Sequence, residues 1–227
     1  MKPSMIQAVI FDMDGVLVDS EPYWARARAE FAAEHGQEWT KEDQAQAMGR
    51  GSREWADYMI RRLRPRRAGR DMTVAEVIDD IVERMRRFYD EGIPFLPGAV
   101  EAVRAAAKGW RVALASGSDA RLIEIVVHHP DLRGRFEAVV ASDTLPRGKP
   151  FPDVYLETAR RLGIKPEEAA CVEDSPNGIL AGRRAGMYVI AVPSPAVPLT
   201  PEQLAPADLV LGSLMEFPRA LEALKRS

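Results

Sequence analysis

The stretch Ile6-Gln7-Ala8-Val9-Ile10-Phe11-Asp12-Met13-Asp14-Gly15-Val16-Leu17-Val18-Asp19-Ser20 decides how the rest of the chain is read. Ala8 to Phe11 is a short apolar run of strand type, and Asp14-Gly15 closes it with a turn signal. Asp12 and Asp14 therefore fall at the C-terminal end of a buried strand, the edge at which open α/β sheets bind ligands. In an ideal strand the two carboxyls would share a face. The turn begins here, however, and lets Asp14 swing to another angle, so the pair can take different tasks. Read alone, the same residues are also an ordinary turn beside a polar strand end. The remainder of the chain has to choose.

Downstream, Pro22 to about Glu91 is helical in pattern and holds no convincing strand. Ser20-Glu21-Pro22 opens a helix, with Ser20 at the N-cap and Pro22 in the first turn. Tyr23, Ala27, Phe31 and His35 follow at helical spacing. Thr40 with Asp43 and Thr73 with Glu76 resemble capping boxes. Met48-Gly49-Arg50-Gly51-Ser52-Arg53 is a glycine-marked turn before a helix carrying Trp55, Met59 and Leu63. These residues read as a small helical insert. Gly92 to Gly98, rich in proline and glycine, punctuates its end. Beyond it the pattern alternates. Strands at Val112–Ala115, Ala138–Ala141, Ala169–Val172, Tyr188–Val192 and Leu209–Leu211 are separated by helical segments, and Pro193 to Pro206 reads as a surface loop. Alternation of this kind predicts a doubly wound, Rossmann-like parallel sheet. The expected organisation is a core of residues 1–19 and 93–227 with a cap of residues 20–92.

Each predicted strand leaves polar groups where it stops. The first leaves Asp12 and Asp14, and the second Ser116 followed by Gly117-Ser118-Asp119. The third leads through Ser142-Asp143 to Gly148-Lys149-Pro150, and the fourth ends in Glu173-Asp174-Ser175. In a parallel sheet all of them gather on one edge. Carboxylates so gathered suit a hard divalent cation, most economically Mg2+ beside a substrate phosphate. The lysine and the Ser-Gly-Ser turn offer charge and donors to phosphate oxygens.

These motifs resemble, in order and approximate spacing, the four motifs of the haloacid dehalogenase-like hydrolases. The likeness covers nearly the whole chain. It is nearest the helical-cap branch of sugar-phosphate phosphatases and β-phosphoglucomutase. The resemblance implies Asp12 as nucleophile and Asp14 as general acid and base, working through an aspartyl-phosphate. It implies a magnesium site made by Asp12, the main-chain carbonyl of Asp14 and Asp174, with Glu173 as ligand or close support. Ser116, Gly117 and Lys149 would hold phosphate. Arg50 and Trp24 of the cap would meet substrate, in a cap that closes over the site. The position of Trp24 tends to be histidine in β-phosphoglucomutase-like sequences, and an indole can neither give nor take a proton. That departure favours a phosphatase over a mutase. Each residue also has a plainer reading. Ser116, Ser118 or Asp119 could cap a helix, Lys149 could be a solvated loop residue, Asp174 could serve a helix N-terminus, and Trp24 could simply pack. The plainer reading of the set requires four coincidences at one sheet edge.

Bulk properties agree with a small-molecule enzyme. The 227 residues are 46% hydrophobic and 29% charged, with a formal net charge of −3. Such a balance offers no positive field for nucleic acid. The single cysteine, Cys171, excludes an internal disulfide, and its apolar neighbours make it a buried thiol. No apolar run reaches the roughly 18 residues of a membrane span, and no signal peptide opens the chain. A cytoplasmic monomer acting on a small phosphate ester is the expectation. A phosphoglycolate-type phosphatase, a mutase and a binding module are the alternatives. The arginines between Arg61 and Arg70 read as a solvated face, and no chemistry is assigned to the histidines.

Overall fold

β1 (Ala8–Phe11) forms on the apolar run and is wholly buried. The computed structural model describes residues 5–48, 51–194 and 198–224, apart from the side chain of residue 223. It divides into two units, one of Met1–Asp19 with Pro94–Ser227 and the other Ser20–Ile93.

The second unit carries α1 (Glu21–Glu34), α2 (Lys41–Ala47), α3 (Ser52–Leu63), β2 (Arg66–Arg67), β3 (Arg70–Asp71) and α4 (Val74–Glu91). Both expected capping boxes are present, Thr40 with Asp43 and Thr73 with Glu76. Ser20 sits at the N-cap of α1, but its backbone is helical and its side chain makes no capping bond. Proline in the first turn sets the start instead. α4 packs on α1 and α3 through buried Phe31, Met59, Ile81 and Met85. The expectation of no strand here is corrected by the small antiparallel pair β2–β3. Ala68 and Gly69 turn it with positive φ, so the pair arises from turn geometry rather than hydrophobic alternation.

The first unit continues with α5 (Ala99–Ala106), β4 (Arg111–Ser116), α6 (Ala120–His128), β5 (Ala138–Ala141), α7 (Asp153–Leu162), β6 (Ala169–Glu173) and α8 (Pro176–Ala185). It ends with β7 (Tyr188–Ala191), α9 (Pro201–Leu204), β8 (Leu209–Val210) and α10 (Phe217–Leu224). α9 corrects the reading of Pro193–Pro206 as loop throughout, because Thr200 and Gln203 form a capping box around it. The six strands run β5-β4-β1-β6-β7-β8, with every pair parallel. The chain thus steps outward from β1 in one direction, then returns and steps the other way. The order reverses beside β1, where doubly wound sheets bind their ligands.

Strand alternation sorts the side chains onto two faces. Ala8, Ile10, Ala113, Ala115, Ala169 and Cys171 join Tyr155, Ala159, Ile179 and Ala185 of α7 and α8 in one core. On the other face Phe11 meets Phe217 of α10 at 5.3 Å between ring centres. By the same alternation Asp12 and Glu173 fall on the α7 face, while Ser116 falls on the opposite one.

Candidate active site

The backbone after β1 fixes both aspartates. Asp12 N–H still donates to Val172 O at 3.0 Å, as a strand residue does. The chain then folds back, with Met13 O accepting from Leu17 N (2.8 Å) and Val18 N (3.0 Å) and Val18 O from Gly15 N (2.9 Å). Gly15 has φ +75°, and a Cβ on it would lie 2.0 Å from Asp174 Oδ2. Glycine is needed there for the conformation and for the approach of the Asp174 carboxylate.

Register continues past the strands. Phe11 pairs with Val172, so Asp12 lies beside Glu173. Lys149, joined to Pro150 by a cis peptide, reaches between them. Its Nζ is 2.9 Å from Asp12 Oδ1 and 2.6 Å from Glu173 Oε1, and it also donates to Ala115 O at 3.4 Å. Glu173 is fully buried. Its Oε1 accepts from the Tyr155 hydroxyl at 2.6 Å, and its Oε2 from Asp174 N (3.2 Å) and Ser175 Oγ (3.3 Å). A Cβ on Gly178 would overlap that carboxylate at 1.9 Å, so the start of α8 is shaped around it. Ser175 caps α8 by accepting from Gly178 N.

Asp14 is turned away from this group. Its Oδ2 accepts from Ser116 Oγ at 3.3 Å, and Ser116 Oγ in turn accepts from Ser118 N at 3.0 Å. Asp119, not Ser116, is the cap of α6. Gly117 lies between these groups with no steric demand for glycine beyond a 3.8 Å approach to Ser142 Oγ.

Several carboxylates and one ammonium leave the site short of positive charge. Burial, helped by Glu173 and Asp14 and opposed by Lys149, pushes the Asp12 carboxyl up to about 7. Burial also raises Asp174, with Glu173 and Asp12 adding to it. Burial works to lower Lys149, but Asp12 and Glu173 outweigh it and hold the ammonium charged well above its ordinary range. Asp12 Oδ1 is a buried acceptor with the Lys149 ammonium 2.9 Å away. Oxygens of Asp12, Glu173 and Asp174 lie within 4.8 Å of one another. An all-oxygen donor set around a buried acceptor fits a hard cation such as Mg2+.

The remaining expected residues belong to the helical unit. Trp24, on α1, packs at 6.0 Å against Trp55 of α3, with the guanidinium of Arg28 over both rings. Arg50 lies outside the described residues, and Arg53 is exposed on α3. Much of the arginine cluster is neutralised locally. Arg62 pairs with Asp43, Arg66 with Asp71, Arg67 with Asp80 and Arg70 with Glu76. Cys171 is a buried free thiol. Tyr155 was not singled out by sequence reading. No helix of the described residues is long and apolar enough to cross a membrane.

Known proteins match most of the chain. A family model described as haloacid dehalogenase-like hydrolase matches residues 6–186. Hexitol phosphatase B of Escherichia coli (strain K12) is 36% identical over 216 residues, covering 95% of this chain and 96% of that protein. Fructose-1-phosphate phosphatase YqaB of the same strain is 32% identical over 190 residues, covering 81% and 95%. The crystal structure of CbbY from Rhodobacter sphaeroides in complex with phosphate superposes with a TM-score of 0.81 at 30% identity, covering 93% of this chain and 96% of that one.

Proposed function

The chain belongs to the haloacid dehalogenase-like hydrolases and is an enzyme of their phosphatase class, and from that premise we propose that it hydrolyses a sugar or polyol phosphate with Asp12 as the nucleophile. The observation that carries this reading is the buried Asp12 carboxylate, ion-paired to Lys149 at 2.9 Å beside a separately held Asp14–Ser116 pair at 3.3 Å. Two carboxyls two positions apart thus have different surroundings, as an attacking group and a proton carrier require.

An Asp12 oxygen attacks phosphorus as the bond to the sugar oxygen breaks, and Asp14 delivers a proton to the departing alkoxide. Water then attacks the aspartyl-phosphate and yields a proton to Asp14, and inorganic phosphate leaves as the Asp12–phosphorus bond breaks. Ser116, the Gly117 turn and Lys149 hold the phosphoryl oxygens, where positioning and charge supply most of the acceleration. Asp12 and Asp174, with the Asp14 carbonyl, are the residues that would hold magnesium, with Glu173, whose oxygens already accept from Lys149, Tyr155, Asp174 N and Ser175, as close support. When bound, the ion offsets phosphate charge and keeps Asp12 ionised. The relatives named for hexitol and fructose 1-phosphate support the substrate class. Trp24, unable to shuttle a proton, supports release to water over return to sugar.

The test is phosphate release from a panel of hexitol, hexose and pentose monophosphates, with magnesium and with chelator. Magnesium-dependent release is expected, and Asp12→Asn should lower it by about four orders of magnitude. Absence of release from every compound by folded protein would overturn the proposal.

A further inference from the structure

Tyr155 is the largest fully buried side chain of the described residues, and the reaction scheme above does not use it. It lies in the first turns of α7, one side of which packs on β4 and β5. A phenol sealed in an apolar core normally finds one partner for its hydroxyl. Here that partner is Glu173 Oε1 at 2.6 Å, the same oxygen that meets Lys149 Nζ at 2.6 Å. The ring of Tyr155 also lies beneath that ammonium, with Nζ 5.3 Å from its centre. One side chain therefore touches both the acid and the base that flank Asp12.

The consequence follows from counting lone pairs. A carboxylate oxygen accepts two good hydrogen bonds. Glu173 Oε1 uses one for Lys149 and one for Tyr155, while Oε2 is taken by Asp174 N and Ser175 Oγ. Without the hydroxyl, Oε1 keeps an unfilled, buried acceptor position, and Lys149 is the donor already in contact with it. The ammonium would be drawn further to Glu173 and away from Asp12. The phenol, by sharing the charge of Glu173, leaves Lys149 free to face Asp12 and an incoming phosphoryl group.

We propose that Tyr155 is a positioning residue of this phosphatase, fixing Lys149 through the shared oxygen of Glu173. The inference rests on the reading of Lys149 as a holder of phosphoryl oxygens. It extends the phosphate site to a residue behind the sheet edge that touches no substrate.

The experiment is a double-mutant cycle of Tyr155→Phe and Lys149→Gln in the full chain, read by turnover and by calorimetric binding of inorganic phosphate. Tyr155→Phe keeps the ring and its packing, and melting curves verify that each variant is folded. In the Lys149 background, a hydrogen bond to a charged group is worth enough that its loss should lower kcat by about tenfold, with KM for the sugar phosphate within about twofold of wild type. The same substitution in Lys149→Gln should change kcat and phosphate affinity by less than about twofold, because coupled residues are not additive. A purely structural hydroxyl predicts equal losses in both backgrounds. Equal losses, or a Tyr155→Phe protein that matches wild type in kcat and phosphate affinity, would overturn the inference. If wild type binds phosphate yet turns over no substrate, the functional reading fails, and the binding cycle still decides the role of Tyr155.

Discussion

Lys149 of the α/β unit and Arg28 of the helical unit are both cations withdrawn from water, and their surroundings differ in kind. Lys149 has Asp12 at 2.9 Å, Glu173 at 2.6 Å, the Ala115 carbonyl at 3.4 Å and the Tyr155 ring below it. Arg28 lies on the rings of Trp24 and Trp55, 5.2 and 5.4 Å from their centres, and its Nε and Nη1 have no hydrogen-bond partner. Burial works to lower both, and their neighbours decide the outcome. Lys149 is held charged by its carboxylates, whereas burial pulls Arg28 down to about 10 against the weaker pull of Glu21. Burial alone does not decide what a buried charge is for. A cation whose neighbours are carboxylates at a strand edge is poised for anionic substrate. A cation faced by aromatic rings is held mainly by packing and cation–π attraction.

The largest effect that would break this contrast is at Lys149. Lys149→Met leaves Asp12 and Glu173 as carboxyls without a counter-charge and removes a donor to the phosphoryl group. Turnover should fall by roughly a thousandfold, the loss typical of removing one such donor. The melting temperature should fall as well, and both are read on the purified variant. Activity within tenfold of wild type would show that the ammonium serves packing, like Arg28.

A second effect sharpens the electrostatics of the Lys149 side. Asp12 has an ordinary value of 3.8 and is pushed up to about 7 in the metal-free fold, so the folded state holds a proton that the unfolded chain has lost. Stability of chelator-treated protein should therefore be greatest in acid and decline as pH rises from about 4 to about 7. Asp174 acts in the same direction. Asp43 and Asp119 are lowered by their partners, so their contribution is of opposite sign and is lost only below about pH 4. Magnesium favours the ionised carboxylates and should remove or reverse the decline. Melting curves from pH 5 to 8, with and without magnesium, measure this directly. Asp12→Asn should flatten the chelator curve.

What could be read in the chain divides along the same line. The strand-end residues were legible because each follows an apolar run, and one parallel sheet brings such ends together. Asp12, Ser116 and Glu173 end β1, β4 and β6 in this way. Tyr155 was not legible, because nothing local distinguishes a core tyrosine from one whose hydroxyl meets Glu173 across 18 positions of sequence. The pair β2–β3 escaped because its residues are charged and its shape comes from positive φ at Ala68 and Gly69. α9 could have been found from Thr200 and Gln203, a capping box hidden among prolines. Arg28 was passed over because one charged residue at helical spacing reads as surface. The indoles of Trp24 and Trp55 lie against it, and it is buried.

The smallest expected effect tests the Arg28 side. Arg28→Met keeps a long, flexible, polarizable side chain between the two indoles and removes a guanidinium with unfilled donors. Two terms compete. Losing the cation–π contacts costs about 0.5 to 2 kcal/mol. Relieving a buried charge whose N–H groups lack acceptors returns a similar amount, since such groups carry a penalty of about 1 to 3 kcal/mol. The net change in unfolding free energy should stay within about 1 kcal/mol of wild type, read by denaturant titration with the slope unchanged. The same measurement on Lys149→Met should show a loss of about 3 kcal/mol or more, the usual consequence of breaking a buried ion pair by removing one partner. A comparable loss at Arg28 would mean that the guanidinium is what keeps Trp24 and Trp55 in place, and the two buried cations would then differ in partners but not in structural weight.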